Sequence, residues 1–383
     1  MTKFRKLVKK LLPRMGALLM AAVLGAGLYF MSSFVFYTPE TDNKEPEFEL
    51  QKDPNREEDE ELSISASDKI FNFLIMGHDR AASLTDVIML VNYNTEIQRI
   101  TVMQIPRDTY VEVDDHYYHK INGLYNYCSK AAKEEGSKDP EMDGCKKMET
   151  FLEKHLAIKI HFSAVMDLDG FGAIVDSIGG VEMYVPRDMY YVDASQGLYI
   201  NLREGYQHLD GEAAEQFVRY RYGYVTGDIG RGDAQKIFIS AFLDKLLSSV
   251  KDVKTISSLA KNLVTYVDTD IKAADIAFFG KNFIGIGNKA GAVRLSNVKL
   301  MTMPGKATMY DGVSYYVMNK EYTSDIINDY YNVFNTSVLW SFDISEVFVT
   351  SENSILRDIY LESRDSVPLK IYNAGSIEEN GLR

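Results

Sequence analysis

The stretch KIFNFLIMGHDRAASLTDVIMLVNYNTEIQRITVMQIPRD, residues 69–108, says most about the fold class of this chain. It holds three short apolar runs, at 69–77, 86–94 and 99–105, and each has the length of a buried strand. The turn-forming sequence NTEIQ separates the second run from the third. The stretch therefore predicts three strands of one sheet, with charged residues where the strands end.

Farther along the chain, strand patterns alternate with helical patterns. Helices are predicted at 142–156, 169–180, 210–221, 233–249, 255–267, 274–285 and 324–334, and strands at 159–167, 181–185, 297–305 and 313–318. Gly179 and Gly180 indicate a helix C-cap, and Asp210 indicates an N-cap. The alternation predicts a layered α/β domain over residues 67–336, followed by a weakly patterned tail at 337–383.

Residues 15–37 predict a single transmembrane helix. The run MGALLMAAVLGAGLYFMSSFVFY carries no charge and is long enough to cross the hydrocarbon core of a bilayer, which requires about 20 residues. It is longer than a signal-peptide core of about 7–15 residues, although a cleaved signal peptide is the alternative. A basic segment, 1–14, precedes it and an acidic stalk, 38–66, follows it. We therefore expect a single-pass cell-membrane protein with a cytoplasmic N-terminus and its large domain outside.

The composition excludes some classes of protein. The formal net charge of −13 over 383 residues argues against a nucleic-acid partner, which would require a basic face. The sequence lacks the GxSxG, HExxH and P-loop motifs, and its six histidines show no metal-ligand spacing, so zinc chemistry is not indicated. Outside the cytoplasm a disulfide between Cys128 and Cys145 is expected, with two unpaired thiols as the alternative.

Three polar clusters lie next to apolar runs, where α/β sheets place their sites. The first is GHDRAASLTD, residues 77–86, which supplies Asp79, Arg80 and Asp86. Two carboxylates that flank one loop suit Mg²⁺, which binds one or two carboxylates together with phosphate oxygens. The alternative is a solvated turn in which the aspartates accept hydrogen bonds from backbone N–H groups.

The second cluster, IPRDTYVEV at 105–113, places Arg107 and Asp108 at a strand tip, and Lys120 follows downstream. The arginine suits either an ion pair or a bidentate phosphate clamp. The third cluster, VRYRYGYVTGDIGRGDAQK at 218–236, supplies three arginines and one glutamine: Arg219, Arg221, Arg231 and Gln235. Clustered arginines require an anion, which is either a phosphate or the neighbouring Asp228 and Asp233.

Seven segments in order resemble the LytR-CpsA-Psr family of cell-wall glycopolymer transferases, from about Phe71 to Leu247. The segments are FLIMGHDR, TDVIMLVNYN, IPRDTYVEV, KING, MDLDGFGAIVDSIGGVEMYVP, LREGYQHLDGEAAEQFVRYR and GDIGRGDAQ. The resemblance implies an α/β/α sandwich around a mixed central sheet, with an apolar cleft for a polyprenyl chain. It also implies Mg²⁺-assisted transfer of an anionic glycopolymer from undecaprenyl pyrophosphate to peptidoglycan.

The resemblance assigns roles by position. It implies that Asp79 and Asp86 bind the metal. It implies pyrophosphate contacts from Arg80, Arg107, Lys120, Arg219, Arg221, Arg231 and Gln235. We expect Arg107, Asp108 and Arg219 to be the catalytic residues. The chain departs from the family pattern at Leu84–Thr85, at the NYCSK sequence after KING, and at Ala234, where the family has a second arginine.

Two other functions stay open on the sequence. The chain could bind a lipid pyrophosphate and assist or regulate envelope assembly without transfer, or it could be a pyrophosphatase that uses water as the acceptor.

Overall fold

The computed structural model describes residues 37–40, 66–80, 82–111, 119–194, 198–221, 228–250, 253–310, 312–335, 337 and 371–373. The predicted cytoplasmic segment and nearly all of the predicted membrane span, acidic stalk and tail lie outside these residues. Within the described ranges, no helix combines the length and the apolar character that crossing a membrane requires.

The described strands and helices include the predicted ones, and they add three consecutive strands between residues 189 and 209 that were not predicted. The strands are β1 (Ile70–Asp79), β2 (Leu84–Asn94), β3 (Arg99–Gln104), β4 (Phe162–Met166), β5 (Val181–Val185), β6 (Met189–Asp193), β7 (Leu198–Leu202), β8 (Gly205–Leu209), β9 (Asp268–Thr269), β10 (Val298–Thr302), β11 (Gly305–Tyr310), β12 (Val313–Met318) and β13 (Ile371–Asn373). The helices are α1 (Ile121–Glu134), α2 (Pro140–Leu156), α3 (Leu168–Ser177), α4 (Gly211–Arg219), α5 (Asp228–Ser249), α6 (Val253–Tyr266), α7 (Ala273–Phe283) and α8 (Lys320–Ile326), which continues as a π-helical turn over Ile327–Tyr331.

The central sheet is mixed, as predicted, with the strand order β13–β10–β3–β2–β1–β4–β9. Its middle is the antiparallel meander β1–β2–β3, in which Phe73 lies opposite Val91 and Val91 opposite Val102. β4 pairs in parallel with β1, and β10 pairs in parallel with β3. The 69–108 stretch therefore supplies the three inner strands of the sheet.

Helices cover both faces of this sheet. On one face, α1 and α2 pack against strand residues such as Leu74 and Leu90, and this cluster is almost fully buried. On the other face, α5 and α7 pack against Tyr93, Ile100 and Val102. Because successive side chains of a strand point to opposite faces, the apolar runs serve both layers at once.

A second apolar cluster joins α3, α4 and the first half of α5 to the small β5–β8 and β6–β7 sheets. Its tightest point is the contact of Gly211 with Gly172, where a Cβ on Gly211 would overlap the Gly172 carbonyl. Asp210 caps α4 as predicted, accepting a hydrogen bond from Ala213 N at 2.9 Å. Gly179 and Gly180 end α3 with φ values of 79° and 71°, as predicted.

The structure differs from the sequence-based expectations at α1 and its cysteine. No helix was predicted at 121–134, and the disulfide that was expected between Cys128 and Cys145 is not formed. Both residues are free, buried thiols on α1 and α2. Burial raises the pKa of Cys128 to about 11 and that of Cys145 to about 12. The helices are joined by packing, because Gly144 lies directly against Ser129.

His161 makes folding depend on pH. Its Nδ1 accepts a hydrogen bond from the Asn72 backbone N–H at 3.0 Å, which requires a neutral ring. Burial, together with the charge of Lys159, lowers the pKa of His161 to about 4. The unfolded chain has the ordinary pKa of about 6.5. The neutral imidazole therefore stabilises the fold above pH ~6.5, and this contribution is lost as the pH falls through about 4.

We expect the free energy of unfolding to fall by as much as about 3 kcal/mol between pH ~6.5 and ~4, because a charged imidazole is disfavoured there. Urea titrations of wild type and His161→Gln across this range measure the effect, and the variant should lose less stability. His208→Gln, at an exposed histidine, is the control. Equal pH slopes for wild type and His161→Gln would refute the assignment.

Candidate active site

A cavity of about 720 Å³ lies between the sheet and helices α3, α5, α6 and α7. At one end its walls are charged. The charged residues of the lining are Asp79, Asp86, Arg107, Asp167, Arg219 and Arg221. Most of the remaining lining is aliphatic or aromatic. The volume is within the range of protein ligand sites, about 300–1,000 Å³.

The apolar part of the cavity follows the length of the inner strands. Ile75, Met89, Val91 and Val102 line its sheet side, and α5, α6 and α7 supply the opposite wall. Val91 lies opposite Phe73, six residues before Asp79. At about 3.3 Å per residue, the cavity extends about 20 Å from its charged end. Its shape suits a slender apolar chain with an anionic head.

Arg107 and Asp86 meet at the charged end. Arg107 follows β3, Asp86 lies on the neighbouring β2, and Arg107 Nη1 donates to Asp86 Oδ1 at 2.6 Å. The arginine side chain is 19% exposed, so the pair is largely shielded from water. Asp79 ends β1 and accepts a hydrogen bond from Ala82 N at 3.0 Å. The structure thus brings the first two sequence clusters together at one edge of the sheet.

The third cluster reaches the same cavity through Arg219 and Arg221. Arg219 ends α4 and donates to Glu215 Oε1, one helical turn earlier, at 2.8 Å. Tyr220 between the two arginines is buried, whereas both arginines line the cavity. Both arginines therefore face the cavity, although Arg219 belongs to a helix and Arg221 follows it.

Gln235 lines the cavity and also connects three elements. It is 6% exposed on α5, and its Oε1 accepts from Gln104 Nε2 at 2.7 Å. Its Nε2 donates to the Val218 carbonyl on α4. Arg231 lies in the first turns of α5, and its side chain is outside the described part of the structure.

The structure does not bring Arg80 into the cavity lining. Its guanidinium lies 3.2 Å from Asp167 and 3.8 Å from both Glu141 and Asp268. Glu141 lies on α2, Asp167 is the N-cap of α3, and Asp268 begins β9, so acids from three elements contact this arginine. For Arg80 to contact a pyrophosphate as predicted, its guanidinium must therefore give up its contacts with these three carboxylates.

Asp108 and Lys120 form an ion pair of 2.9 Å, and each side chain is about one-fifth exposed. Neither belongs to the cavity lining, although Asp108 adjoins Arg107. The Lys120 ammonium also lies 5.5 Å from the centre of the Tyr315 ring. Lys120 thus lies outside the cavity lining. Its contact with a pyrophosphate and the catalytic role of Asp108 stay predictions.

Sequence reasoning missed His78 and Asp167, which both line the cavity. His78 is half-buried and contacts the Tyr125 ring edge-on, with centroids 5.0 Å apart. Burial lowers its pKa, and the charge of Arg80 acts in the same direction. The sequence feature that could have indicated His78 as a site residue is its position near the end of the first apolar run, directly before Asp79.

The donor set limits the metal that could bind. Among the described residues, no group of three or more His, Cys, Asp or Glu side chains could hold an ion. Asp79 and Asp86 offer two carboxylates at the charged end. This pair does not fit a closed protein site, but it fits Mg²⁺ that takes its other ligands from water and a substrate phosphate.

Comparisons with known proteins show which family this chain is similar to. A model described as the LytR_cpsA_psr family matches residues 34–331. The polyisoprenyl-teichoic acid–peptidoglycan teichoic acid transferase TagV of Bacillus subtilis (strain 168) is 27% identical over 282 residues, which cover 71% of this chain and 66% of that protein. This chain therefore spans just under two thirds of the length of that relative.

Two further matches broaden the comparison. The regulatory protein MsrR of Staphylococcus aureus (strain Mu50) is 28% identical over 250 residues, covering 64% of this chain and 68% of that protein. The crystal structure of B. subtilis TagV has a TM-score of 0.50 and 22% identity, covering 78% of this chain and 99% of that chain. That structure shows a shared fold.

Ala234 lies in the core and not in the cavity, although the family pattern has an arginine there. It is 3% exposed in the cluster that contains Phe217 and Phe238. We expect Ala234→Arg to destabilise the protein by more than about 3 kcal/mol, because a buried, unpaired charge is costly. Ser248→Arg, at an exposed position of the same helix, is the matched control. Urea unfolding measures both, and equal midpoints would contradict the assignment.

Proposed function

Because this chain belongs to the LytR_cpsA_psr family, we propose that it transfers an anionic glycopolymer from a polyprenyl pyrophosphate to peptidoglycan outside the membrane. One observation carries the proposal: a single cavity joins three arginines at its end to an apolar wall about 20 Å long. TagV is named as a transferase that attaches teichoic acid to peptidoglycan, and we extend that class of reaction to this chain.

The donor fits the cavity in one direction only. Its prenyl chain is buried along Met89, Val102 and the facing helices, where burial contributes roughly 25 cal/mol per Å² of apolar surface. Its pyrophosphate then lies between Arg107, Arg219 and Arg221. Guanidinium groups bind phosphate oxygens in pairs, so three of them fix both phosphates in position.

Carboxylates hold two of these arginines before the donor arrives. Asp86 orients Arg107, and Glu215 orients Arg219 from the same helix. The phosphates share or replace these carboxylate partners when they bind. The arginine side chains are then already in position when the reaction begins, and charges positioned in advance accelerate phosphoryl transfer.

Magnesium is the proposed cofactor, held by Asp79 and Asp86 together with donor phosphate oxygens. When bound, it neutralises charge on the departing polyprenyl phosphate. Asp79 and Asp86 would hold the ion, and Arg107 would supply a guanidinium to the phosphates beside them.

The acceptor is a sugar hydroxyl of peptidoglycan. Its oxygen attacks the phosphorus that carries the glycan, and a new P–O bond forms. The bond from that phosphorus to the bridging oxygen breaks, and polyprenyl phosphate leaves. Asp108, positioned by Lys120 beside Arg107, accepts or orients the hydroxyl proton. This reaction requires the predicted membrane span at 15–37 and a domain outside the cell.

A second candidate is a lipid-pyrophosphate binder that regulates envelope assembly without transfer. Two observations favour it: Arg80 contacts three acids and does not line the cavity, and position 234 supplies no arginine. The head site therefore has fewer cations than the family pattern implies. The relative MsrR is named as a regulatory protein.

Arg107→Ala should lower the rate of glycan-phosphate transfer at least about 100-fold, because it removes a phosphate-binding charge at the reaction centre. The assay uses the full chain in nanodiscs with a synthetic polyprenyl-pyrophosphate disaccharide and peptidoglycan oligomers. Arg203→Ala, at an exposed arginine paired with Asp188, should keep the wild-type rate. A wild-type rate for Arg107→Ala would exclude this arginine from the mechanism.

Removal of magnesium tests the carboxylate pair. EDTA should suppress transfer, and Mg²⁺ should restore it in the wild type but not in Asp79→Asn, because the amide is a weak ligand for a hard cation. Glu204→Gln is the control for a lost surface carboxylate. Donor binding without product under every condition would favour the regulatory binder, and release of polyprenyl phosphate without peptidoglycan would favour a pyrophosphatase.

A further inference from the structure

Residues 37–40, where the predicted membrane span ends and the predicted stalk begins, lie against the folded domain. The Tyr37 hydroxyl donates to Asp275 Oδ1 at 2.6 Å, and Pro39 is buried. Glu40 lies 3.7 Å from the Lys272 ammonium. We call these contacts, made by 37–40 with the first turn of α7, the juxtamembrane clamp.

The Tyr37–Asp275 hydrogen bond is the strong part of the clamp. Asp275 is 3% exposed, and its second oxygen accepts from Lys272 N at 2.8 Å. A hydrogen bond to a shielded carboxylate is stronger than the same bond in water. The Glu40–Lys272 pair is highly exposed on both sides and adds little.

The clamp leaves almost no tether between the span and the domain. Residues 15–39 carry no charge, and Glu40 is the first charged residue after them. An extended chain covers at most about 3.5 Å per residue, so the surface around Asp275 lies within about 10 Å of the end of the apolar run. A stalk that joined the domain only at residue 66 would leave the orientation of the domain open.

The clamped helix covers the end of the sheet that is opposite the charged cavity end. The Phe279 ring on α7 packs on Phe71 and Phe73, with centroids 5.0 and 5.1 Å away. Both lie at the start of β1, whereas Asp79 ends that strand about 20 Å farther on. Phe283 lies one turn beyond Phe279 on α7 and lines the cavity. The clamp thus holds the helix that closes the apolar end.

The surface around α7 suits an anionic bilayer. Residues 271–297 contain four cations, Lys272, Lys281, Lys289 and Arg294, against Asp275, and the adjoining clamp and β2–β3 turn add the acids Glu40 and Glu96, which leaves one more cation than acids on this surface. Basic residues near anionic lipid each contribute attraction. The loop after α7 exposes Ile286, 47% accessible, and the β2–β3 turn exposes Ile97, 49% accessible. Asn288 joins these loops by donating to the Thr95 carbonyl at 2.5 Å.

We propose that the juxtamembrane clamp positions the domain on the extracellular face of the cell membrane, with α7, loop 285–291 and the β2–β3 turn against the lipid. The charged end of the cavity then points away from the bilayer, toward the cell wall. A bound prenyl chain then extends from the phosphates at Arg107 and Arg219, about 20 Å above the surface, to the apolar end next to the lipid. The inference rests on the predicted span and the proposed function.

Tryptophan fluorescence in nanodiscs tests the orientation. The one native tryptophan, Trp340, is replaced by phenylalanine, and single reporters are introduced as Ala274→Trp, Lys138→Trp and Tyr190→Trp in the full chain. All three positions are exposed. Ala274 lies within the clamp surface, and Lys138 precedes Glu141, which contacts Arg80 at the charged end. Tyr190 lies on a rival apolar surface, the outer face of the β6–β7 hairpin, together with Tyr199.

Lipids with brominated chains should quench the Ala274→Trp fluorescence at least about twofold and leave the other two reporters nearly unchanged. Tyr37→Phe, which removes only the hydroxyl, should reduce this difference, whereas Tyr199→Phe should not. Equal quenching of all reporters, strongest quenching of Tyr190→Trp, or a chain that does not float with the nanodiscs would overturn the inference. The quenching experiment needs no substrate, so it tests the orientation independently of the transfer reaction. If the chain shows the expected quenching pattern but does not transfer glycan, the orientation stands and only the proposed function is refuted.

Discussion

The central sheet must be covered on both faces, and the two covers differ in how closely they fit. On one side Leu74, Met76 and Leu90 are fully buried beneath α1 and α2. On the other side α5 and α7 pack against only part of the sheet, and the cavity lies between α5, α6, α7 and strand residues such as Met89. Native interiors otherwise pack without large voids. The tight layer therefore secures the sheet, and the loose layer leaves apolar surface available to a ligand.

The inner sheet and the meeting of its polar tips were predictable from the sequence because both depend on local pattern. Apolar runs gave β1, β2 and β3 within a few residues, and the strand ends brought Asp86 to Arg107. The edge strands β9 and β13 have only two and three residues, too few for any periodicity to show. Helix α1 was missed because its sequence, INGLYNYCSKAAKE, has Asn, Gly and two tyrosines in its first half, which are weak helix formers.

Side-chain direction was not predictable where distant residues decide it. Arg80 adjoins Asp79 in sequence, yet it turns toward acids up to 188 positions away, such as Asp268. Ala234 lies in a motif of polar residues, but its side of α5 packs on Phe217. The motifs predicted which stretches of the chain reach the cavity, and tertiary contacts selected which members of each motif line it.

The two buried cysteines have a consequence for how this protein matures and how it can be followed. A domain that secures α1 to α2 by a Gly144–Ser129 contact needs no thiol oxidase to reach its final form. Thiolates are the reactive species, and both thiols are shielded with raised pKa values. Alkylation therefore proceeds only when this layer opens, and the labelling rate of the unaltered chain reports how often that happens.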